Sequence, residues 1–212
     1  MQDLKLIIFD LDGTLVDAYK AITDSFNYTM RSIGARQRNC SVIRRSVGWG
    51  DENLLKPFIN ERYLREALLI YRRHHKKSLL RGSRLYPGVK KLLRYLKNKG
   101  YKIAVASNRP TRFSRILIRH LGLKNYLDYV LCADKLKHGK PHPEIMKRIL
   151  ERFSLKRKDA LYVGDMAVDA QAGLRSRVKT IIVTSGSSSK KEIKKAAPFL
   201  IINRITRLLK LL

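Results

Sequence analysis

Acidic side chains are scarce in this chain: 17 Asp and Glu stand against 46 Lys and Arg in 212 residues, a formal net charge of +29. Such a balance leaves three partner classes open, namely anionic substrates, nucleic acid, or only solvent around a basic surface. The basic residues run from Lys5 to Lys210, and their short runs, such as Arg72 to Lys77, come without a zinc-finger, homeodomain or aromatic RNA-binding signature. Solvated helix faces are the expected reading of any one run, and nucleic acid is a possible but not a favoured partner. Cysteine is nearly missing. Cys40 and Cys132 lack metal-ligand spacing, which argues against a disulfide framework or a cysteine zinc site and fits a reducing compartment. Long apolar runs are missing as well. Leu6 to Phe9 and Phe199 to Ile202 fall far short of the roughly 20 residues of a membrane helix, and the N-terminus has no basic stretch leading into a long apolar one. A soluble cytoplasmic protein with no membrane partner is the expectation.

A hydrophobic content of 44% is enough for a real core, in one large domain or one domain with a small insertion. After a first apolar strand, residues 18 to 33 read as a helix closed by Gly34, and Glu61 to Leu80 as a long helix with Leu64, Ala67, Leu68 and Tyr71 on one face. A glycine-containing segment, Val42 to Leu55, lies between them. From Pro87 strands alternate with helices: helix 88 to 99, strand Lys102 to Ala106, helix 112 to 121, strand Tyr129 to Cys132, then a helix from Pro143 to Phe153. Strand Ala160 to Val163, a helix through Ala167 to Leu174, strand Thr180 to Val183, a Ser/Gly loop at 185 to 189 and an apolar segment at 199 to 202 complete the pattern. This predicts an α/β doubly wound, Rossmann-like parallel-sheet core with a small helical cap inserted after the first strand. The expected boundaries are 1–17 and 83–212 for the core and 18–82 for the cap.

Against so few acids, the placing of Asp10, Asp12, Asp17, Asp165 and Asp169 stands out. Leu6-Ile7-Ile8-Phe9 runs straight into Asp10-Leu11-Asp12-Gly13-Thr14-Leu15, and Leu161-Tyr162-Val163-Gly164 runs into Asp165, with Asp169 four residues on. Carboxylates massed at strand ends repel one another unless a hard cation or a shared proton holds them, and oxygen ligands of this kind suit Mg2+. Ligands of open parallel sheets bind beyond the carboxyl ends of the strands. The crevice there should collect Asp10, Asp12, Ser107, Asn108, Lys140, Asp165 and Asp169, a set suited to phosphoryl transfer through an aspartyl-phosphate. A calcium loop fits poorly, because glycine falls two places early and position twelve would be Ala21. Taken singly, Ser107-Asn108 would be a cap or turn, Lys140 a solvated loop charge and Asp169 a surface acid. Asp17 reads as the N-terminal cap of the next helix, and His142, between two prolines, as structural.

The chain resembles the haloacid dehalogenase-like phosphohydrolases over essentially its whole length. Asp10-Leu11-Asp12-Gly13-Thr14-Leu15 matches that family's first motif, Ser107-Asn108 the second, Lys140-Pro141 the third, and Gly164-Asp165 through Asp169 the fourth. The resemblance implies Asp10 as nucleophile, Asp12 as general acid and base, and Lys140 as the cation that keeps Asp10 ionised. It also implies Ser107, Asn108 and Lys140 around the phosphoryl oxygens, and Asp10, Asp12 (through its main-chain carbonyl), Asp165 and Asp169 around Mg2+, with Asp169 either a ligand or the group that orients Lys140. Arg45-Ser46-Val47-Gly48-Trp49-Gly50 resembles the cap loop of phosphoglycolate phosphatase-like members, which makes Arg45, Gly48 and Trp49 the expected specificity residues for a small anionic phosphate ester. A turn with Trp49 as packing residue is the other reading of that loop. Rival activities are a β-phosphoglucomutase-type transferase and a phosphatase of nucleotides or nucleic-acid ends.

Overall fold

In the computed structural model, which describes residues 3–212, the central strand β1 (Leu6–Phe9) is buried on both faces, all four residues having no exposed surface. That is why it reads as an unbroken apolar run and not as an alternation. Its side chains still alternate: Ile7 and Phe9 enter one core, Leu6 and Ile8 the other. β4 (Lys102–Ser107) and β6 (Ala160–Gly164) flank β1 in parallel, and β5 (Tyr129–Cys132), β7 (Lys179–Val183) and β8 (Leu200–Ile202) extend the sheet outward. The resulting order, β5-β4-β1-β6-β7-β8, is a doubly wound arrangement in which the chain first grows to one side of β1 and then returns to the other. The crevice lies where the order reverses.

The flanking helices account for part of the positive charge. In α5 (Val89–Asn98), Val89, Leu92, Leu93 and Leu96 are buried at helical spacing while Lys90, Lys91 and Arg94 are exposed. α6 (Thr111–His120) and α7 (Glu144–Arg152) are built the same way, with buried Leu117 and Ile145, whereas α8 (Ala167–Ser176) buries Val168, Ala170 and Ala172 and carries a single basic residue, Arg175. A short helix, α9 (Lys190–Lys195), follows the Ser/Gly loop. Only Ile193 of it is buried, so no apolar periodicity announced it, although Ser189 and Glu192 do form a reciprocal cap.

Between β2 (Val16–Asp17) and β3 (Arg84–Leu85), which pair antiparallel, the chain forms four α-helices. α1 (Tyr19–Ser32) packs along α4 (Leu64–Gly82), and the end of α4 comes so close to α1 that a side chain on Gly82 would meet the Ala21 backbone at 2.9 Å. The segment expected only as a connection holds α2 (Cys40–Arg45) and α3 (Asp51–Leu55). Asn39 caps α2 by accepting the Val42 N–H, and Gly48 and Gly50, both at positive φ, turn the chain between the two helices. Ala18 holds the N-cap position of α1, but the expected cap acts from one residue earlier: the Asp17 carboxylate accepts the N–H of Tyr19, the first helical residue, at 3.3 Å and pairs with Arg84 at 3.0 Å across the β2–β3 neck. Cys40 and Cys132 are both free. Among the described residues no helix is long and apolar enough to cross a membrane.

Phe26 of α1 is fully buried and meets Phe58 edge-on at 5.2 Å, which makes it the aromatic centre of the helical layer. Phe26→Ala should cost about 3–5 kcal/mol in urea unfolding. A loss under about 1 kcal/mol would show that this cluster does not hold the layer together.

Candidate active site

Asp10 follows β1 directly, its N–H still bonded to the Val163 carbonyl at 2.8 Å, and its carboxylate is held against Lys140 at 2.7 Å. Lys140 is 4% exposed and spends every donor it has. Its Nζ bonds Asp10 Oδ1, Asp169 Oδ1 (2.7 Å), the Ala106 carbonyl (3.0 Å) and the Tyr162 hydroxyl (3.0 Å). Burial works against the charge of Lys140, but Asp10 and Asp169 outweigh it and raise its pKa. Burial is also the main influence on Asp10, whose pKa is pushed up to about 7 despite the opposing attraction of Lys140.

The position of Asp169, a ligand or an orienting group by sequence, follows from its hydrogen bonds. Oδ1 accepts from Lys140 and from the Tyr162 hydroxyl (2.6 Å), while Oδ2 accepts the N–H groups of Asp165 (3.1 Å) and Met166 (3.0 Å). Both oxygens are engaged in positioning. Asp165 differs: Oδ1 accepts from Thr14 at 2.7 Å, but Oδ2 is buried with no hydrogen-bond partner. Oxygens of Asp10, Asp165 and Asp169 lie within 4.8 Å of one another. Burial, then the charges of Asp169 and Asp10, push the Asp165 pKa well above the carboxylate range. An unpaired buried oxygen beside other acid oxygens suits a hard divalent cation. Glycine is required around it, since a Cβ on Gly13 or Gly186 would fall 2.2 or 2.0 Å from that same Oδ2.

Asp12 is expected to meet the cation through its main-chain carbonyl, and its carboxylate is engaged elsewhere: Arg109 Nε and Nη2 donate to it at 2.6 and 2.8 Å. Its side chain is therefore excluded from the aspartate cluster. Ser107, 2% exposed, lines the crevice and accepts the Arg109 N–H at 3.1 Å. Asn108 acts as a clamp and not as a phosphate ligand through its side chain. Its Nδ2 donates to the carbonyls of Gly48 (2.9 Å) and Lys140 (3.0 Å), and its Oδ1 accepts the Lys140 N–H (2.8 Å), so the amide is fully spent joining the cap loop to the lysine loop.

The cap loop divides. Gly48 and Gly50 line the crevice, and a side chain on Gly48 would meet Met166 Sδ at 2.7 Å. Trp49 is 46% exposed and is not part of the lining. Contrary to the expectation of a specificity residue, Arg45 turns to the core surface, bonding both oxygens of Glu192 (2.7 and 2.9 Å) and the Ser187 carbonyl (2.7 Å), so it is not available to a ligand in the crevice. This pairing draws the Glu192 pKa down to about 2. His142 accepts the Glu144 N–H at 3.3 Å, as a structural residue would. Arg109 and His75 were missed. Arg109 carries no distinguishing mark in a chain this basic beyond following Ser107-Asn108 at a strand end, and His75 is hidden in the run Arg72 to Lys77. Both line the crevice, with Arg109 Nη1 2.7 Å from His75 Nε2.

The chain is similar to known proteins in sequence and in fold. The family model described as haloacid dehalogenase-like hydrolase matches residues 7–183. The chain is 30% identical over 183 residues to the phosphoglycolate phosphatase of Aquifex aeolicus, covering 86% of each chain. It is 33% identical over 186 residues to that of Rhodobacter capsulatus, covering 85% of this chain and 84% of the other. A crystal structure described as a predicted phosphoglycolate phosphatase, from Haemophilus somnus 129pt, superposes with a TM-score of 0.94 at 27% identity, covering 100% and 99% of the two chains.

Because Asp10 and Asp165 have raised pKa values, the folded state binds more protons than the unfolded one between about pH 4 and 7, and in the absence of a cation these two groups lose stability as pH rises through that window. Asp165→Asn removes one buried titratable carboxyl, and with it the cost of its raised pKa, and supplies an NH2 donor. Metal-free Asp165→Asn should therefore unfold at least about 2 °C above the metal-free wild type at pH 7.5, with the gap closing toward pH 4. Calorimetric scans in EDTA check this, and a variant less stable than wild type at pH 7.5 would refute the orphaned-charge assignment.

Proposed function

The chain belongs to the haloacid dehalogenase-like hydrolase family, and on that footing we propose that it is a Mg2+-dependent phosphatase of small phosphate monoesters, with phosphoglycolate-like substrates first. The observation that carries the reading is the buried set Asp10, Lys140, Asp169 and Asp165, with one Asp165 oxygen unpaired. Such an arrangement is costly for stability and is explained by a cation and an anion that enter together. The names of the relatives support the substrate class, since two of them are phosphoglycolate phosphatases at 30% and 33% identity.

Asp10 attacks phosphorus and forms an aspartyl-phosphate as the P–O bond to the leaving group breaks; water then attacks the phosphoryl group, releasing inorganic phosphate and restoring the carboxylate. Lys140, held by Asp169 and Tyr162, keeps Asp10 ionised and balances the negative phosphate. Asp12, two residues along, gives a proton to the leaving oxygen and later takes one from the attacking water, and Arg109 sets the direction of its carboxyl. Ser107 Oγ is the hydroxyl available to a phosphoryl oxygen. Asp10, Asp165 and the main-chain carbonyl of Asp12 would hold Mg2+, which supplies charge compensation for the phosphoryl oxygens. Cap residues Val47, Leu54 and Tyr71 roof the crevice and limit water access.

Phosphate release from small monoesters should require Mg2+, stop in EDTA and return when Mg2+ is restored, with Ca2+ a poor replacement because its coordination is larger and looser. Asp10→Asn should retain less than about a hundredth of wild-type turnover while its circular dichroism stays native. Activity undiminished in EDTA, or a vigorous Asp10→Asn enzyme, would reject the mechanism.

A further inference from the structure

Among the described residues lining the crevice, two carry a fixed positive charge, Lys140 and Arg109. A substrate with a second anionic group needs one of them beyond the phosphoryl site. Lys140 has no donor to spare, since its three N–H bonds already serve four acceptors. Arg45, which resembled a specificity residue in the sequence, is bound to Glu192, and Arg72 is bound to Asp51 at 2.7 Å. His75 is neutral: burial and the adjacent guanidinium push its pKa well below the ordinary value. Because an arginine only donates, His75 Nε2 accepts from Nη1, and its proton sits on Nδ1, 3.0 Å from Ser25 Oγ.

Arg109 differs from every other cation at the site in having donors left. Nε and one N–H of Nη2 hold Asp12, and one N–H of Nη1 holds His75, so one N–H remains on each Nη. A guanidinium with a free donor on each terminal nitrogen suits a planar two-oxygen acceptor. The group is 8% exposed, anchored on the core side by Asp12 and on the cap side by His75, so it is fixed before a ligand arrives. It also sits beside the proposed acid Asp12, hence beside the leaving group and not the phosphoryl oxygens.

We propose that Arg109 is the specificity-determining residue that binds the second anionic group, a carboxylate on the carbon next to the ester oxygen, of a small phosphate monoester. The assignment rests on the hydrolytic reading given above. It moves recognition of the leaving group from the cap loop to a core residue, with the cap contributing His75 as the support that orients it.

The test uses a matched pair, 2-phosphoglycolate and its amide, which differ in the charge of one group. Wild type should favour the carboxylate in kcat/KM by about tenfold or more, the worth of one charge-assisted hydrogen bond pair, mainly through KM. In Arg109→Gln the preference should collapse toward one, with Arg109→Lys intermediate because it keeps charge but loses the fork. His75→Ala should weaken the preference in the same direction and less. Thermal unfolding of each variant with Mg2+ present shows whether it is folded, and titration calorimetry of the two compounds onto Asp10→Asn and Asp10→Asn/Arg109→Gln reads the preference as binding even if Arg109→Gln turns over too slowly. Equal losses on both compounds would make Arg109 only a positioning residue for Asp12, and an unchanged preference would place the anion elsewhere; either overturns the proposal. A wild type that hydrolyses both compounds without preference overturns it too while leaving the phosphatase reading intact, whereas no phosphate release from any monoester would defeat that reading itself.

Discussion

One buried lysine is the constraint from which the rest of the site follows. Lys140 is surrounded by two carboxylates, a carbonyl and a tyrosine hydroxyl, yet a third carboxylate, Asp165, stands beside them unrelieved. One positive charge against three carboxyl groups within a buried space leaves the ionised forms of Asp10 and Asp165 disfavoured, so that either protons or a cation must offset them. The neighbouring backbone has been shaped to let this happen: glycines 13 and 186 close on the orphaned oxygen where any side chain would collide with it. On the proposed reading, stability is given up locally so that a cation has somewhere to bind.

The second constraint is the seam between the helical layer and the sheet. Among the polar links that cross it are Arg45 to Glu192, Asn108 to the Gly48 carbonyl, and Arg109 to His75. They differ in consequence. The first is a half-exposed pair at the rim, worth little on its own. The other two are at the crevice and tie the roof to the same loops that present Asp12, Ser107 and Lys140. Any movement of the helical layer would therefore be felt at the reacting groups, and a ligand that fills the crevice touches both sides of the seam.

The +29 charge has no single address in the fold. Basic side chains cover the exposed faces of helices such as α5, where Lys90, Lys91 and Arg94 oppose a buried stripe of leucines. Inside the crevice the balance is inverted, with four aspartates against two fixed cations in the lining. A basic exterior favours the approach of anions, and on the proposed reading the acidic interior would accept them together with a compensating cation.

Sequence by itself determined the parts of this protein that depend on local pattern. The unbroken apolar run 6–9, the alternation of strands and helices after residue 87, the position of Asp10 and Asp165 directly after strands, and that of Lys140 in the loop between β5 and α7 are visible because burial on both faces and a crevice at strand termini leave a one-dimensional trace. Tertiary structure alone decided what depends on a partner distant in the chain. That Arg45 turns outward depends on Glu192, 147 residues away; that Asn108 clamps loops depends on Gly48; that Asp169 positions while Asp165 stays free depends on which oxygens meet Lys140, Tyr162 and Thr14. Arg109 shows the reason most plainly, since an arginine in a chain with 46 basic residues is distinguishable only by what surrounds it, and its surroundings come from Asp12 on one element and His75 on another.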